Sequence, residues 1–323
     1  MKRLVAILFL LGAISLRAQD IHFSQIDANP LLLNPAYAGF YDGMGRFGVI
    51  YRNQWASVST PFQTFAVTGE IALLRHPAER SGLSLGLLAY NDVAGSLHYG
   101  TLSGTLSLTY YHAINRRKNS ILSFGLEGGY GQQGFNPDRA EMDDPRETFD
   151  LQQVRYPLLG AGIAWYYQPN GSLLTRVGFA ARNINRPNIS YMHLDDTRLE
   201  PRFNIYARAE YRCWQSVALM PAMLFQFQKD YKEFTYGLNV KWFVMEEPQM
   251  QFSISGGLAL RQGDALIATL GMEYNALLFT FCYDANISQL ANASHTIGAF
   301  ELGLVYRLAK PSKKKTAIKC PTY

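Results

Sequence analysis

Cysteine is scarce in this sequence. Only 3 cysteines occur in 323 residues, at Cys213, Cys282 and Cys320, and their spacing matches no metal site. They are too few for a disulfide framework. The alternation of apolar and polar residues around them places Cys213 and Cys282 on different strand faces, so these two should not pair. A link between Cys213 and Cys320 stays open.

Long apolar runs are also missing beyond the first residues. A membrane-spanning helix needs about 18 to 20 apolar residues. The one long apolar run, from Leu4 to Ile14, is shorter than that; it follows Lys2 and Arg3 and precedes Ala18. This layout predicts a secretory signal peptide over residues 1–18, and the absence of cysteine at the cleavage point argues against a lipoprotein. The mature chain is therefore predicted to be exported without a helical anchor.

The sequence has little excess charge once the signal is removed. The formal net charge is +5 for the whole chain and drops by three to +2 when Lys2, Arg3 and Arg17 leave, because residues 1–18 contain no acid. Nucleic-acid-binding domains are usually strongly basic. The remaining balance therefore does not indicate nucleic acid as a partner.

Motifs for catalysis and cofactor binding are scarce as well. The 6 histidines are dispersed, and none forms a metal-binding pair four residues apart. There is no Gly-x-Ser-x-Gly elbow and no phosphate-binding loop. The sequence therefore predicts no cofactor and no enzyme. An outer-membrane hydrolase using Ser and His is an alternative hypothesis, because such triads have no fixed spacing.

What the sequence does contain is alternation. About 14 segments between residues 45 and 308 place an apolar side chain at every second position, which is the period of a strand with one apolar and one polar face. Residues 298 to 308 show the pattern well. One face holds Phe300, Leu302, Leu304, Tyr306 and Leu308, and the other holds Glu301, Gly303, Val305 and Arg307.

These segments are long for strands. The predicted strands are at about residues 45–56, 62–74, 82–91, 100–114, 120–131, 156–168, 172–183, 201–214, 217–228, 232–245, 249–262, 264–275, 276–286 and 295–308. Many reach the nine to eleven residues, roughly, that cross a bilayer at a tilt, which exceeds the usual soluble strand. The predicted fold is all-β: a transmembrane antiparallel up-and-down β-barrel of outer-membrane type, about 14 strands over residues 45–308.

The predicted connections differ in length according to their position. Those after even-numbered strands are mostly tight, whereas those after odd-numbered strands include residues 91–99, 132–155, 184–200 and 287–294. Outer-membrane barrels have short periplasmic turns and longer external loops. This parity predicts that both termini are periplasmic.

Charges of both signs occupy the faces that alternate with the apolar ones. They are Glu70, Glu127, Arg176, Arg202, Arg208, Glu210, Lys241, Glu273, Glu301 and Arg307. An Arg or Lys facing lipid at mid-depth costs roughly 2–4 kcal/mol, whereas opposite charges can pair across a lumen. The barrel interior is therefore predicted to be polar, with no filter of a single sign.

Two long external loops carry the candidate binding residues. His193, Asp195 and Asp196 could bind a cation or support acid-base chemistry, and the alternative is a merely hydrophilic loop. In the other loop Pro145 and the missing Gly and Glu spacing exclude an EF-hand, so its charges are expected to form a soluble surface or a protein contact. The predicted partner-binding residues are Arg139, Glu141, Asp143, Asp144, Arg146, Tyr191, His193, Asp195 and Asp196.

The two ends of the mature chain lie outside the predicted barrel. Residues 19–44 contain two Asn-Pro pairs, which disfavour regular structure. This segment is predicted to plug the lumen or to form a loose periplasmic arm. Residues 309–323 contain a run of lysines that could contact anionic lipid headgroups or an acidic partner, or stay solvated.

Several blocks strongly resemble the PorP/SprF family of type IX secretion in Bacteroidota. They are residues 19–25, Asn29-Pro30, residues 33–39, Tyr51 to Trp55, residues 61–65, residues 283–288, residues 298–301 and Cys320-Pro321. The family-motif residues, which fit roles in the fold or plug, are Asn29, Pro30, Asn34, Pro35, Gly39, Arg52, Gln54 and Trp55. The blocks lie at both ends, so the resemblance spans essentially the mature chain.

The resemblance implies an outer-membrane barrel that works with other type IX secretion components. Its partner would be a secreted adhesin or gliding-type protein with a C-terminal sorting domain, which the barrel helps to export or attach to the cell surface. The resemblance implies no catalytic residue. The alternative hypothesis is an outer-membrane channel or transporter for small solutes or hydrophobic compounds.

Overall fold

The chain forms a closed barrel of 14 antiparallel strands, as a computed structural model shows. The structure describes residues 21–26, 28–41, 43–55, 60–75, 80–95, 98–135, 153–191, 197–247, 249–288 and 296–308. Each strand pairs with its neighbours in sequence, and the first strand closes the barrel against the last. The predicted fold class and strand number are therefore confirmed.

The strands follow one another without crossovers. In chain order, β1 to β14 are Gly45–Gln54, Phe62–Arg75, Ser81–Ala94, Tyr99–Ala113, Ser120–Gly134, Gln153–Asn170, Leu173–Arg182, Arg202–Trp214, Val217–Gln228, Tyr231–Glu246, Gln251–Arg261, Ala265–Tyr274, Leu277–Asn286 and Ile297–Leu308. Before β1 come a short α-helix, α1 (Pro30–Leu33), and a 3-10 turn (Pro35–Tyr37). Neither described helix is long or apolar enough to cross a membrane.

The predicted strands match the observed ones to within three residues at every boundary. The largest differences fall in β3, β5 and β6, which continue to Ala94, Gly134 and back to Gln153. Antiparallel pairing persists there after the alternation of apolar residues has ended. These three strands are therefore longer at the ends nearest residues 95–98 and 135–152 than the alternating apolar residues predict.

The outer face is apolar and the inner face is polar. Leu126 and Leu106 are 66% and 62% exposed on the outside, whereas Glu70 and Glu301 are 1% and 0% exposed inside. Burying such carboxylates is tolerable only because they are paired with arginines, as Glu70 is with Arg46. The arrangement suits a wall with lipid outside and polar contacts inside.

The two ends of the barrel differ in their connections. The connections after odd strands are residues 55–61, 95–98, 135–152, 183–201, 229–230, 262–264 and 287–296, and those after even strands are residues 76–80, 114–119, 171–172, 215–216, 247–250 and 275–276. The two longest therefore lie at one end, the long-loop end, and every connection at the opposite, short-turn end is brief. The predicted loop asymmetry is confirmed.

The N-terminal segment passes through the lumen from one end of the barrel to the other. Arg202, at the long-loop end, donates a hydrogen bond of 2.6 Å to the Ile21 carbonyl. At the short-turn end, Met44 N donates to Leu308 O at 2.8 Å. Ile21 and Leu308 therefore lie at opposite ends of the barrel. The prediction that both termini are periplasmic stays a prediction. The termini themselves, in residues 1–20 and 309–323, lie outside the described residues.

Two Asn-Pro pairs shape this segment locally. The Asn29 side chain accepts a hydrogen bond from Leu32 N and caps α1, whose first residue is Pro30. Asn34 repeats the arrangement, accepting from Ala36 N at 2.8 Å ahead of Pro35. Asn is a favoured N-cap, and Pro is favoured at the first helical position. Each pair therefore begins a tight turn that keeps the segment compact enough for the lumen.

Candidate functional site

Residues 29–41, here called the wedge, pack against one side of the lumen. Tyr37 and Phe40 contact a cluster of wall side chains that includes Tyr111, Tyr166 and Tyr206. The rings of Phe40 and Tyr166 stack with centroids 3.6 Å apart. A second apolar cluster joins Leu31 and Leu32 of the wedge to residues of β1, β2 and β3. Apolar contact of this extent stabilises the wedge against β1 to β9.

Wall glycines allow the wedge to approach the strands closely. A Cβ atom at Gly162 would overlap the Asn34 side chain, and one at Gly125 would overlap the backbone of Ala36. The Asn34 amide then donates to Ile163 O at 3.0 Å and to Phe179 O at 3.1 Å. Asn34 and Pro35, two of the family-motif residues, therefore anchor the wedge to β6 and β7.

Glu70 holds the last part of the wedge. Its carboxylate accepts from Gly39 N at 3.0 Å and from Arg46 Nε at 2.9 Å. Gly39 has a φ of 89°, in the left-handed region where glycine is strongly favoured. Gly39, another family-motif residue, therefore has a structural role beside Ser84, which a side chain at this position would overlap.

Residues 21–26, here called the leading segment, share the second apolar cluster with the wedge through Ile21 and Phe23, and they also contact a set of charged residues. The Ser24 hydroxyl donates to Asp284 at 2.6 Å and accepts from Arg52 at 2.9 Å and Arg261 at 2.6 Å. The Glu301 carboxylate accepts from the backbone N–H groups of Ser24 at 2.6 Å and Gln25 at 2.9 Å. These four charged residues from β1, β11, β13 and β14 form the charged cluster around Ser24.

The charged cluster is buried and internally paired. Arg52 forms ion pairs with Asp284 at 3.1 Å and with Glu301, and Arg261 pairs with Asp284 at 3.2 Å. Each of these side chains is at most 3% exposed. Charges at such depth are costly unless every one has a partner. The cluster therefore depends on its complete set of contacts, including those of Ser24.

The neighbouring family-motif residues support this cluster. Gln54 accepts from Arg52 Nε at 3.2 Å and orients its guanidinium. The Trp55 ring packs edge-on against Phe62 with ring centroids 5.0 Å apart, and the backbone N–H of Trp55 donates to Gly298 O at 2.9 Å. Arg52 is among the family-motif residues, whereas its partners Ser24, Arg261 and Asp284 are not. Strand register would have revealed one pair, because Arg52 and Glu301 lie directly opposite each other on β1 and β14.

A cavity separates the leading segment from the opposite wall. It measures about 140 Å³, enough for several water molecules. Gln25 lines it from the segment, and Lys241, Glu273 and Thr280 line it from β10, β12 and β13. Lys241 pairs with Glu273 at 2.7 Å. The lumen is therefore filled on the β1 to β9 side and partly open on the β9 to β14 side.

The long-loop end carries a structured platform. β6 continues past the end of β7, and residues 183–185 cover its edge: Ile184 N donates to Leu159 O at 3.0 Å, and Asn185 Nδ2 donates to Pro157 O at 2.8 Å. The loop then doubles back, with Ile189 N bonded to Thr197 O at 2.9 Å. Ile189 and Leu199 pack on Tyr156 and Leu158. Covering an exposed strand edge in this way prevents unwanted pairing.

Only one of the predicted partner-binding residues lies in the described part of the chain. Tyr191 contacts Phe135 with ring centroids 6.1 Å apart. Its partial burial, together with Tyr99, raises the pKa of Tyr191 above its usual value. Arg139, Glu141, Asp143, Asp144, Arg146, His193, Asp195 and Asp196 lie outside the described residues. Within the described residues, no group of three or more His, Cys, Asp or Glu could hold a metal ion.

The barrel is similar to several solved structures. They include the toluene transporter TodX of P. putida (TM-score 0.53, 7% identity, 88% of this chain and 95% of that chain covered), the toluene transporter TbuX of Ralstonia pickettii (0.52, 8%, 88% and 94%) and a FadL homologue of Pseudomonas aeruginosa (0.51, 12%, 87% and 94%). At these identities the likeness shows the fold of an outer-membrane barrel and nothing finer.

Sequence comparison identifies the family. No curated protein matched the chain. The family profile described as "Type IX secretion system membrane protein PorP/SprF" matches residues 15–306, which includes the wedge, the charged cluster and almost the whole barrel. The chain therefore belongs to the PorP/SprF family of type IX secretion system membrane proteins.

Proposed function

We propose that this outer-membrane barrel binds a secreted protein at its long-loop end and supports the export of that protein or its attachment to the cell surface. The client would be an adhesin or gliding-type protein with a C-terminal sorting domain, as in the family resemblance. The observation that carries the proposal is the asymmetry of the barrel: a structured platform lies at one end only, above a lumen that the N-terminal segment occupies.

The occupied lumen favours a role in binding over one in passage. Tyr37, Tyr41 and Leu31 are at most 1% exposed within the barrel. A protein chain could not cross such an interior while the wedge is in place, because protein interiors leave few voids larger than water. The client would therefore contact the outside of the barrel, at the long-loop end where the platform lies.

The platform has the side chains that protein interfaces favour. Tyr99 and Ile184 are 41% and 48% exposed at this end. Arg186 forms a partly exposed ion pair with Glu200 at 2.8 Å. Aromatic residues and arginine are enriched in the cores of protein interfaces. In the proposed orientation, the short-turn end and the basic tail face the periplasm and the other secretion components, and lipid surrounds the wall.

Copurification tests the proposal. The barrel, tagged in a native-type host, should recover a large secreted protein with a C-terminal sorting domain after gentle extraction. Replacing residues 136–151 with a short Gly-Ser linker should reduce surface display of that protein about tenfold or more, because loss of central interface residues dominates binding energy. The matched control carries the same linker within residues 247–250, at the short-turn end. Equal display in both variants would refute binding at the long-loop end.

A solute channel is the second candidate function. The observation that favours it is the cavity between the leading segment and β9 to β14. The transported compounds would be small solutes or hydrophobic compounds. A purified barrel that conducts no ions in planar bilayers, with or without residues 19–44, would argue against it.

A further inference from the structure

The hydrogen-bond ladder between β8 and β9 is interrupted at one point. Residues 209–210 of β8 and 220–221 of β9 lie within the described strands, but their pairs are absent from a ladder that keeps the same register before and after them. Pro221 has no N–H to donate, and proline in sheets is normally confined to edges and bulges. Pro221 still pairs with Leu238 of β10. The wall therefore lacks a backbone hydrogen bond between β8 and β9 where Ala209 lies opposite Pro221.

A groove, here called the side groove, lies on the lipid-facing side of this interruption. Its volume is about 680 Å³, within the range of small-molecule sites, roughly 300–1,000 Å³. Small side chains on β8 and β9 form its floor, and larger apolar side chains flank them. The outward residues that line it are Thr175, Ala207, Ala209, Pro221, Met223, Tyr236, Leu238, Leu258, Leu260 and Leu266. The side groove is therefore an apolar depression in the lipid-facing wall.

Arg208 borders both the side groove and the luminal cavity. Its side chain points into the barrel, where Nη2 donates to Met220 Sδ at 3.0 Å and lies 4.0 Å from Glu210 Oε2. Met220 and Glu210 are the inward residues of the interruption, so the guanidinium lies on its luminal side. The other inward residues that border both spaces are Ala222, Gly237 and Ala259. The wall between the side groove and this guanidinium thus consists of backbone and small side chains.

Positive charge is in excess on the luminal side of the interruption. Arg176 of β7 lies directly opposite Arg208 of β8, and like charges in that position repel. Across the cavity, Lys241 and Arg307 share one carboxylate of β12. The acid beside Arg208 is Glu210. These four cations outnumber the two carboxylates, so an anionic group would be stabilised here.

The depth of the interruption limits the size of that anionic group. Leu238 lies opposite Pro221, and Trp242 lies four residues nearer the short-turn end of β10. Tryptophan belongs to the aromatic girdle at the membrane surface, which places the interruption roughly 13 Å farther along the strand. Phospholipid head groups stay in the surface layer. A ligand whose charged group reaches Arg208 therefore has a small head rather than that of a phospholipid.

We propose that the side groove binds the apolar chain of an anionic single-chain amphiphile and that Arg208 binds its head group. The head reaches the guanidinium by a local parting of β8 and β9 at Pro221, where a hydrogen bond is already missing. The chain comes from the surrounding bilayer. A charged side chain at membrane depth is costly and commonly marks a functional site. This inference depends neither on client binding nor on ion conduction.

Photo-labelling of the purified full-length barrel in phosphatidylcholine vesicles tests the site. The probe is an alkyl sulfonate with a diazirine in its chain, and the matched probe is the alcohol of the same chain length. Mass spectrometry should find sulfonate adducts on the groove residues of β8 and β9, with labelling by the alcohol about tenfold weaker, because a hydrogen bond to a charged group is lost. Equal labelling by the two probes would overturn the anionic site.

Replacement of Arg208 tests the head-group contact. Arg208→Gln should reduce sulfonate labelling about tenfold and leave labelling by the alcohol unchanged. Arg182→Gln is the matched control, because the Arg182 side chain has the same exposed fraction, 8%, but pairs with Glu127 and does not line the side groove. Equal sulfonate labelling in the two variants would overturn the role of Arg208.

Replacement of Pro221 tests the route of the head group. Pro221→Val supplies the missing N–H and keeps an apolar side chain in the side groove. Sulfonate labelling should fall to the level of the alcohol, since the head would then be separated from Arg208 by a continuous ladder. Undiminished sulfonate labelling would refute passage between β8 and β9.

A third substitution covers the case in which the Arg208 variant does not fold. Ala209→Phe fills the side groove from the lipid-facing side and should reduce labelling by both probes about tenfold. The matched control is Ala89→Phe, an outward alanine of β3, which should have no effect. Equal labelling in these two variants would overturn the side groove as the binding site. Displacement of the sulfonate by phosphatidylglycerol added to the vesicles would assign the site to a phospholipid and overturn the proposed ligand.

Discussion

At the residue scale, the lumen combines two kinds of fit. Arg52 of β1 binds the buried carboxylates of Asp284 on β13 and Glu301 on β14, and β1 meets β14 only when the barrel closes. Because Arg52 also donates to Ser24, it links the N-terminal segment to the junction of β1 and β14. Asn34 instead needs the absence of a side chain at Gly162, because a Cβ there would overlap its amide. Gly162 is therefore as necessary for the position of the wedge as Asn34, although only Asn34 is a family-motif residue.

The close approach at Gly162 leads to a stability prediction. Gly162→Ala forces a methyl group against the Asn34 side chain and should lower the free energy of unfolding by about 1–3 kcal/mol, the usual cost of overpacking. The loss of stability would be measured as a lower temperature at which half of the protein changes from the folded to the unfolded band in gel electrophoresis. Gly104→Ala is the matched control, since a Cβ there meets no atom within 4 Å. Equal midpoint temperatures for the two variants would mean that Asn34 can shift away from the added methyl group without loss of stability.

At the element scale, the strands could be predicted from the sequence and the inward contacts only in part. Alternation predicts every strand because lipid on one side and polar contacts on the other impose a period of two. It does not predict the continuation of β5 and β6 to Gly134 and Gln153, where both faces leave the lipid. The pairing of Ser24 with Asp284 joins residues far apart in sequence, so no local pattern signals it.

The covered edge of β6 gives a prediction for one element. The Asn185 side chain both accepts from Leu159 N at 3.2 Å and donates to Pro157 O at 2.8 Å. Asn185→Ala should remove about 0.5–1.5 kcal/mol per hydrogen bond, locally. Hydrogen exchange of the Leu159 amide should accelerate while that of Ile163 on the same strand stays unchanged. Faster exchange at both positions would mean that the platform and the barrel open as one cooperative unit.

At the scale of the whole molecule, the structure defines two unlike ends joined by a segment that runs through the lumen. Ile21 lies at the long-loop end and Leu308 at the short-turn end. Short periplasmic turns and long external loops are the rule in outer-membrane barrels. The long-loop end should therefore face the cell exterior, and residues just before Ile21 should lie closer to that face than to the periplasm.

Epitope insertion tests this orientation. A tag within residues 136–151 should bind antibody on intact cells, whereas the same tag within residues 247–250 should bind only after the outer membrane is permeabilised. Labelling of the 247–250 tag alone on intact cells would mean that the barrel is inserted in the opposite orientation, with the platform in the periplasm.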